Sequence, residues 1–223
     1  MHRIFILSPA RTSGKRASLL MSEKAEFQLA KRLRSRSGAP VGEVFSFLSG
    51  LYFRGKYTYS KHFGRPPAGL ASQYVITSDA GLMDAENFVT LKRFADVPID
   101  PLEPRYTQPL QKSIAVLQVA IPSSCKVVLL GSIATNKYAD LLLEGFGNRL
   151  MFPQEFVGRG DMSRGGLLLR AVSADKELEY VSLAAVDSRH GGRPPKLPPV
   201  RHNPGENRQS NSIDSKRRRS TTK

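Results

Sequence analysis

Residues 156–166, FVGRGDMSRGG, gather Gly158, Gly160, Gly165 and Gly166 with Arg159, Arg164 and Asp161 between two apolar segments. Glycines let backbone amides come close to a ligand, guanidinium groups suit an anion, and a lone carboxylate can accept a proton or a hydrogen bond. The run therefore reads as a ligand-holding loop in which Asp161 and Arg159 carry the chemistry and Ser163 and Arg164 bind. The plainer alternative is that Asp161 pairs with an arginine only to hold the loop. The tripeptide Arg159-Gly160-Asp161 serves adhesion in secreted proteins, a compartment that nothing else in the chain suggests.

A second cluster lies at PARTSGKRAS, residues 9–18. Gly14 and Lys15 form the Gly-Lys pair of a phosphate-binding loop, but Pro9 replaces the first glycine and Arg16 the magnesium-binding Ser or Thr. Nucleoside triphosphate hydrolysis is thus disfavoured, while Arg11, Lys15 and Arg16 remain suited to a phosphodiester. A third cluster, SGLYFRGKYTY (residues 49–59), interleaves aromatic rings with cations. Rings stack on bases and cations meet phosphates, as a flipped or single-stranded nucleotide requires. Phe53 and one of Tyr57 or Tyr59 are expected in the core, and Tyr52, Arg54 and Lys56 at a ligand.

The elements that position these groups alternate between strand and helix. RIFILS, QYVITS, KVVLLGS and RLMF read as short buried strands, the third of the fully buried kind found in a parallel sheet. Helices are expected around Leu20–Leu33, from Leu110 through Leu117, and over KYADLLLEGF, with Asn136 as its cap and Gly145 or Gly147 at its end. Four prolines make 96–109 an extended connector. LLLRAV and ELEYVSL, joined at SADK, read as a β-hairpin. The fold class is α/β, with three α/β/α layers, a mostly parallel sheet and a C-terminal hairpin. In such sheets functional loops sit at the carboxyl ends of the strands. Those loops are 8–18, 78–84, 131–136 and 153–166, which adds Ser8 and Ser132 to the binding candidates.

Composition narrows the partners. The chain has 223 residues and a net charge of +15. Residues 189–223 hold ten Lys/Arg against Glu206 and Asp214, net +8, and +7 remains on residues 1–188. One folded domain over 1–188 and a basic, proline-rich disordered tail over 189–223 are expected, with nucleic acid as the polyanionic partner. A single cysteine excludes an internal disulfide, and the four histidines lack metal-ligand spacing, so no metal or cofactor is expected. No apolar run is long enough for a membrane span or signal peptide, which suggests a soluble cytoplasmic protein.

In order along residues 3–166, several segments resemble the uracil-DNA glycosylase superfamily. KVVLLGSIATNKYADLL is similar to that family's strand, turn and helix, RLMFP with its loop stands at the place of its second catalytic loop, and GLYFRGK is similar to a Gly-x-x-Phe-x-Gly segment. YVITSDAGL resembles the strand whose end reads the base, here through Thr77 or Ser78. The first loop, SPARTSGKR, lacks the family's water-positioning Asp, Asn or Glu, and the second lacks its histidine, proline and serine. The same order of ILS, LY and ITS-GL also resembles small bacterial domains of unassigned function. The resemblance implies a glycosylase acting on duplex DNA with a flipped base, its chemistry reassigned to Asp161 with Arg159. Glycine-rich loops would suit a bulky modified base, as in some bacteriophage genomes, and hence defence or repair. The competing expectations are a transferase or hydrolase of a free nucleotide or nucleobase, and a non-catalytic nucleic-acid-binding protein.

Overall fold

The computed structural model describes residues 1–93, 99–134, 136–186, 191–192 and 194–198. A six-stranded sheet is built from β1 (Arg3–Leu7), β3 (Gln73–Ile76), β4 (Leu82–Asp84), β6 (Lys126–Leu130), β7 (Leu150–Pro153) and β8 (Tyr180–Ser182) in the order β4-β3-β1-β6-β7-β8. The inner four strands are parallel and the edge strands β4 and β8 antiparallel. β2 (Ala39–Pro40) and β5 (Phe88–Val89) form a separate small pair.

Between β1 and β3 run α1 (Lys15–Met21), α2 (Gln28–Arg34), α3 (Val41–Ser49) and α4 (Leu51–Phe63); α5 (Pro104–Ala120) leads to β6 and α6 (Ala139–Phe146) to β7. The crossover from β1 to β3 runs one way across the sheet, and those from β3 to β6 and β6 to β7 run the other. Right-handed crossovers therefore place α4 on one face and α5 and α6 on the other. Their packing agrees, since α4 lies over β1 and β3 while α5 packs on α6 and reaches β4. The expected α/β fold with a mostly parallel sheet is thus observed. Ile4–Leu7 and Val127–Leu130 are fully buried, as a sheet covered on both faces requires.

Three expectations are revised. The proposed hairpin is absent at its first arm, because LLLRAV belongs to α7 (Asp161–Ser173), and the second arm supplies β8 paired with β7 instead. The proline-rich connector is shorter than expected. Residues 96–98 lie outside the described ones, and from Pro104 the chain is helical, with proline at the first helical position and the Glu103 side chain accepting from the Arg105 amide at 3.0 Å. Finally, α6 begins after Tyr138 and ends at Gly147, whose φ of 53° lies in the left-handed region that glycine tolerates. The tail from 189 onward lies outside the described residues except 191–192 and 194–198, where Pro195 and Pro198 carbonyls accept from Arg159 and Arg170.

α7 forms because it is pressed against α4. Gly165 meets the backbone of Leu51 and Tyr52, and Gly55 meets Gly165, so closely that an added Cβ would lie 2.8 Å from main-chain atoms in either case. The glycines at 55 and 165 thus serve a helix crossing, and tertiary contact overrides the low helix propensity of the RGG run. Gly55→Ala or Gly165→Ala should destabilise the protein by roughly 1–3 kcal/mol, because overpacking against backbone outweighs the improved propensity; a lower urea midpoint at unchanged slope would show it, and an unchanged or higher midpoint would refute the crossing as a constraint.

Candidate functional site

The connection leaving β1 runs toward β3 and the one leaving its neighbour β6 runs the opposite way toward β7, which opens a crevice beyond the carboxyl ends of β1 and β6. A cavity of about 830 Å³ occupies it, lined by the β1–α1 connection from Ser8 to Arg16, by α3 and Tyr52 of α4, by Ser78, by Ser132, Lys137 and Tyr138, and by Asp161. Ser8 continues β1, its amide donating to the Leu130 carbonyl at 3.1 Å, so it stands beside Gly131 at the end of β6.

Beneath Ser8 lies Lys56, 1% exposed. Its Nζ donates to the Ser8 carbonyl at 2.6 Å and to Ser8 Oγ at 2.8 Å. The ammonium also sits 4.4 Å from the Tyr52 ring centroid and 4.8 Å from that of Phe53, one turn back on α4. Burial disfavours the charged amine and lowers its pKa to about 7; Asp161 pulls it upward and Arg164 downward. Ser8 also stands beside Tyr138, whose hydroxyl oxygen accepts from the Ser132 amide at 2.9 Å. Gly131 is needed here, since a Cβ would fall 2.8 Å from the Tyr138 hydroxyl and 2.9 Å from the Ser8 Cβ.

Tyr52 also lines the cavity, and its hydroxyl is the one fully buried side-chain polar atom without a hydrogen-bond partner among the described residues. Burial raises its pKa, with Arg164 acting in the opposite sense. Arg11, Lys15 and Arg16 are exposed at the rim, where Arg16 donates to the Phe47 carbonyl at 3.0 Å. Asp161 opens α7 and stands 3.7 Å from the Arg164 guanidinium.

Ser8, Arg11, Lys15, Arg16, Tyr52, Ser78, Ser132 and Asp161 are therefore brought together as the sequence suggested. The others are not. Arg159 faces a second cavity of about 700 Å³ beside residues 194–197, donating to the Glu155 carbonyl, Ser163 Oγ and the Pro195 carbonyl, so it does not join Asp161 in the first. Ser163 lines that second cavity as well. Arg164 is buried and caps the Phe156 carbonyl through Nε and Nη2. Arg54 is exposed on α4 and does not line the cavity. Thr77 closes its own turn, donating to the Gly81 carbonyl and accepting from the Ala80 amide. Lys56 supports the wall from behind. Phe53 and Tyr59 are in the core, as expected. Sequence reasoning missed Tyr138 and Lys137, which follow the β6 turn, and the α3 residues Phe45 and Leu48; the turn's position after a buried strand was the available signal.

Comparisons with protein-family models, with curated proteins and with solved structures return no match. Among the described residues no cluster of His, Cys, Asp or Glu could hold a metal ion, and no helix is long and apolar enough to cross a membrane.

With the Lys56 pKa lowered from its ordinary 10.5 to about 7, the unfolded chain binds one more proton than the folded protein between those values. Stability should therefore rise with pH across that window, by about 1.4 kcal/mol per pH unit for one group, and the Lys56 penalty should be complete below pH 7. Comparing urea midpoints of the wild type and Lys56→Met from pH 7 to 10 isolates this contribution; parallel curves would show that Lys56 is not the group responsible.

Proposed function

We propose that the chain is a DNA glycosylase-like hydrolase that holds a flipped nucleotide in the crevice beyond β1 and β6 and releases its base. The observation that carries this reading is the convergence of one carboxylate, Asp161, with the cations Arg11, Lys15 and Arg16 on a single cavity of about 830 Å³. That volume falls within the range of nucleotide-sized sites. A chain of net charge +15 with three exposed cations at the cavity rim suits a polyanion better than a free base.

Cleaving an N-glycosidic bond builds positive charge on the sugar and negative charge on the departing base. Asp161 supplies negative charge for the sugar, and Tyr52 supplies a desolvated donor with no competing partner for the base. Arg159, expected to share the chemistry with Asp161, instead belongs with Arg170 and Lys196 along the second cavity. Asp161 lines both cavities, so a backbone could pass from one cationic border to the other across the carboxylate. The roomy cavity favours a bulky modified base, and hence defence against modified phage DNA or repair. The distant resemblance to uracil-DNA glycosylases supports the same reading at the level of strand and loop order.

The test is incubation with DNAs carrying uracil, common lesions or hypermodified phage bases, followed by mild alkali to cut abasic sites. One substrate should be cut, and Asp161→Ala should abolish cutting with binding mostly retained. Neutralising Arg11, Lys15 and Arg16 together should flatten the salt dependence of binding, with the logarithmic slope falling by roughly 0.9 for each phosphate that is no longer neutralised. Equal loss of binding and cutting in Asp161→Ala would refute its catalytic role. No cutting of any DNA, with salt-insensitive binding of mononucleotides, would point to an enzyme of free nucleotides.

A further inference from the structure

The buried lysine is placed for more than support. Ser8 lines the cavity and its Oγ accepts from Lys56 Nζ at 2.8 Å, while Tyr138, held by the Ser132 amide, stands beside it, both hydroxyls lying close to Gly131. This is the arrangement of an activated nucleophile: a hydroxyl, a base within hydrogen-bond reach, and a third group that orients the pair. A simpler wall could have been built from an apolar residue at position 56, without the cost of burying an amine.

We propose that Ser8 is a covalent nucleophile and Lys56 the base that takes its proton, so that base release passes through a glycosyl-serine intermediate. The intermediate rests on the glycosylase reading above; the Ser8–Lys56 pairing does not. In the first step neutral Lys56 accepts the Ser8 proton, Ser8 Oγ bonds to C1′, and the C1′–N electron pair leaves with the base as an anion. In the second, water attacks C1′ and gives a proton to Asp161, the C1′–Oγ bond breaks, and Ser8 takes its proton back from Lys56. Asp161 then protonates the base, so the sum is hydrolysis with the enzyme restored.

The charged and titratable groups facing the pair are Asp161 and Arg164 from α7, Tyr52 from α4 and Tyr138 beyond β6. Their combined setting leaves Lys56 with a pKa of about 7, so a substantial neutral fraction exists near neutrality.

Phenylmethanesulfonyl fluoride, read by intact mass and peptide mapping, tests the pairing without any substrate. Ser8 should be sulfonylated at a rate that rises with pH around a midpoint near 7. The modification should vanish in Ser8→Ala and slow by about a hundredfold in Lys56→Met, with circular dichroism confirming the fold. Unmodified Ser8, or a rate equal in Lys56→Met, overturns the dyad; if Lys56→Met fails to fold, a flat wild-type pH profile does so. The intermediate is tested with DNA carrying a 2′-fluoroarabino nucleotide of the released base, which should trap a Ser8–DNA adduct. Base release that survives Ser8→Ala overturns the nucleophile and leaves the glycosylase reading intact. Sulfonylation of Ser8 without base release from any DNA upholds the pairing and removes the glycosylase reading, and the intermediate with it.

Discussion

The site is arranged around one buried contact, the Lys56 amine against Ser8, the residue that follows β1. An amine removed from water must find oxygen acceptors, and it finds both the carbonyl and the hydroxyl of Ser8. That requirement fixes α4 over the carboxyl end of β1 and orients Ser8 toward the crevice. The rings of Tyr52 and Phe53, one turn away, complete the ammonium's surroundings. Few core positions tie a helix to a strand end by so specific a demand, since apolar packing alone would tolerate sliding by a fraction of a turn.

A second constraint follows from the first. With α4 fixed, α7 reaches the site only by lying nearly on its backbone, which Gly55 and Gly165 allow. Arg164 then folds back onto the Phe156 carbonyl, and Asp161 at the start of α7 comes to the cavity. The carboxylate is thus placed by glycines that take no part in the chemistry themselves. Backbone approach, rather than ligand approach, is what the glycine-rich run provides at position 165.

Strands were legible because their apolar runs are continuous and bounded by turns: RIFIL, KVVLL and LMFP lie where the patterning indicated, and the crevice follows from their order. α7 was not legible. Its inward stripe is Arg164, Gly165, Leu168 and Ala171, in which an arginine and a glycine occupy positions that hydrophobic periodicity needs to be apolar. The same difficulty misplaced Lys56, since a lysine among aromatic rings reads as ligand-facing, and only the fold shows that the helix face it occupies is the covered one. Of the cavity's polar groups, Ser8, Arg11, Lys15, Arg16, Tyr52, Ser78, Ser132 and Asp161 were found, while Lys137 and Tyr138, set by the turn after β6, were not.

The division between the two cavities bears on how the charge of the chain is used. A single anionic ligand would need one cationic cluster, yet Arg11, Lys15 and Arg16 stand on one side of Asp161 and Arg159, Arg170 and Lys196 on the other. On the proposed reading, two clusters flanking one carboxylate suit a ligand with phosphates on both sides, as an internal nucleotide of a strand has and a free nucleotide lacks. The segment 194–197 completes the second cluster by lending Lys196 and its prolyl carbonyls to the edge of α7. The start of the basic C-terminal region, at residues 194–197, is therefore part of the surface around Asp161.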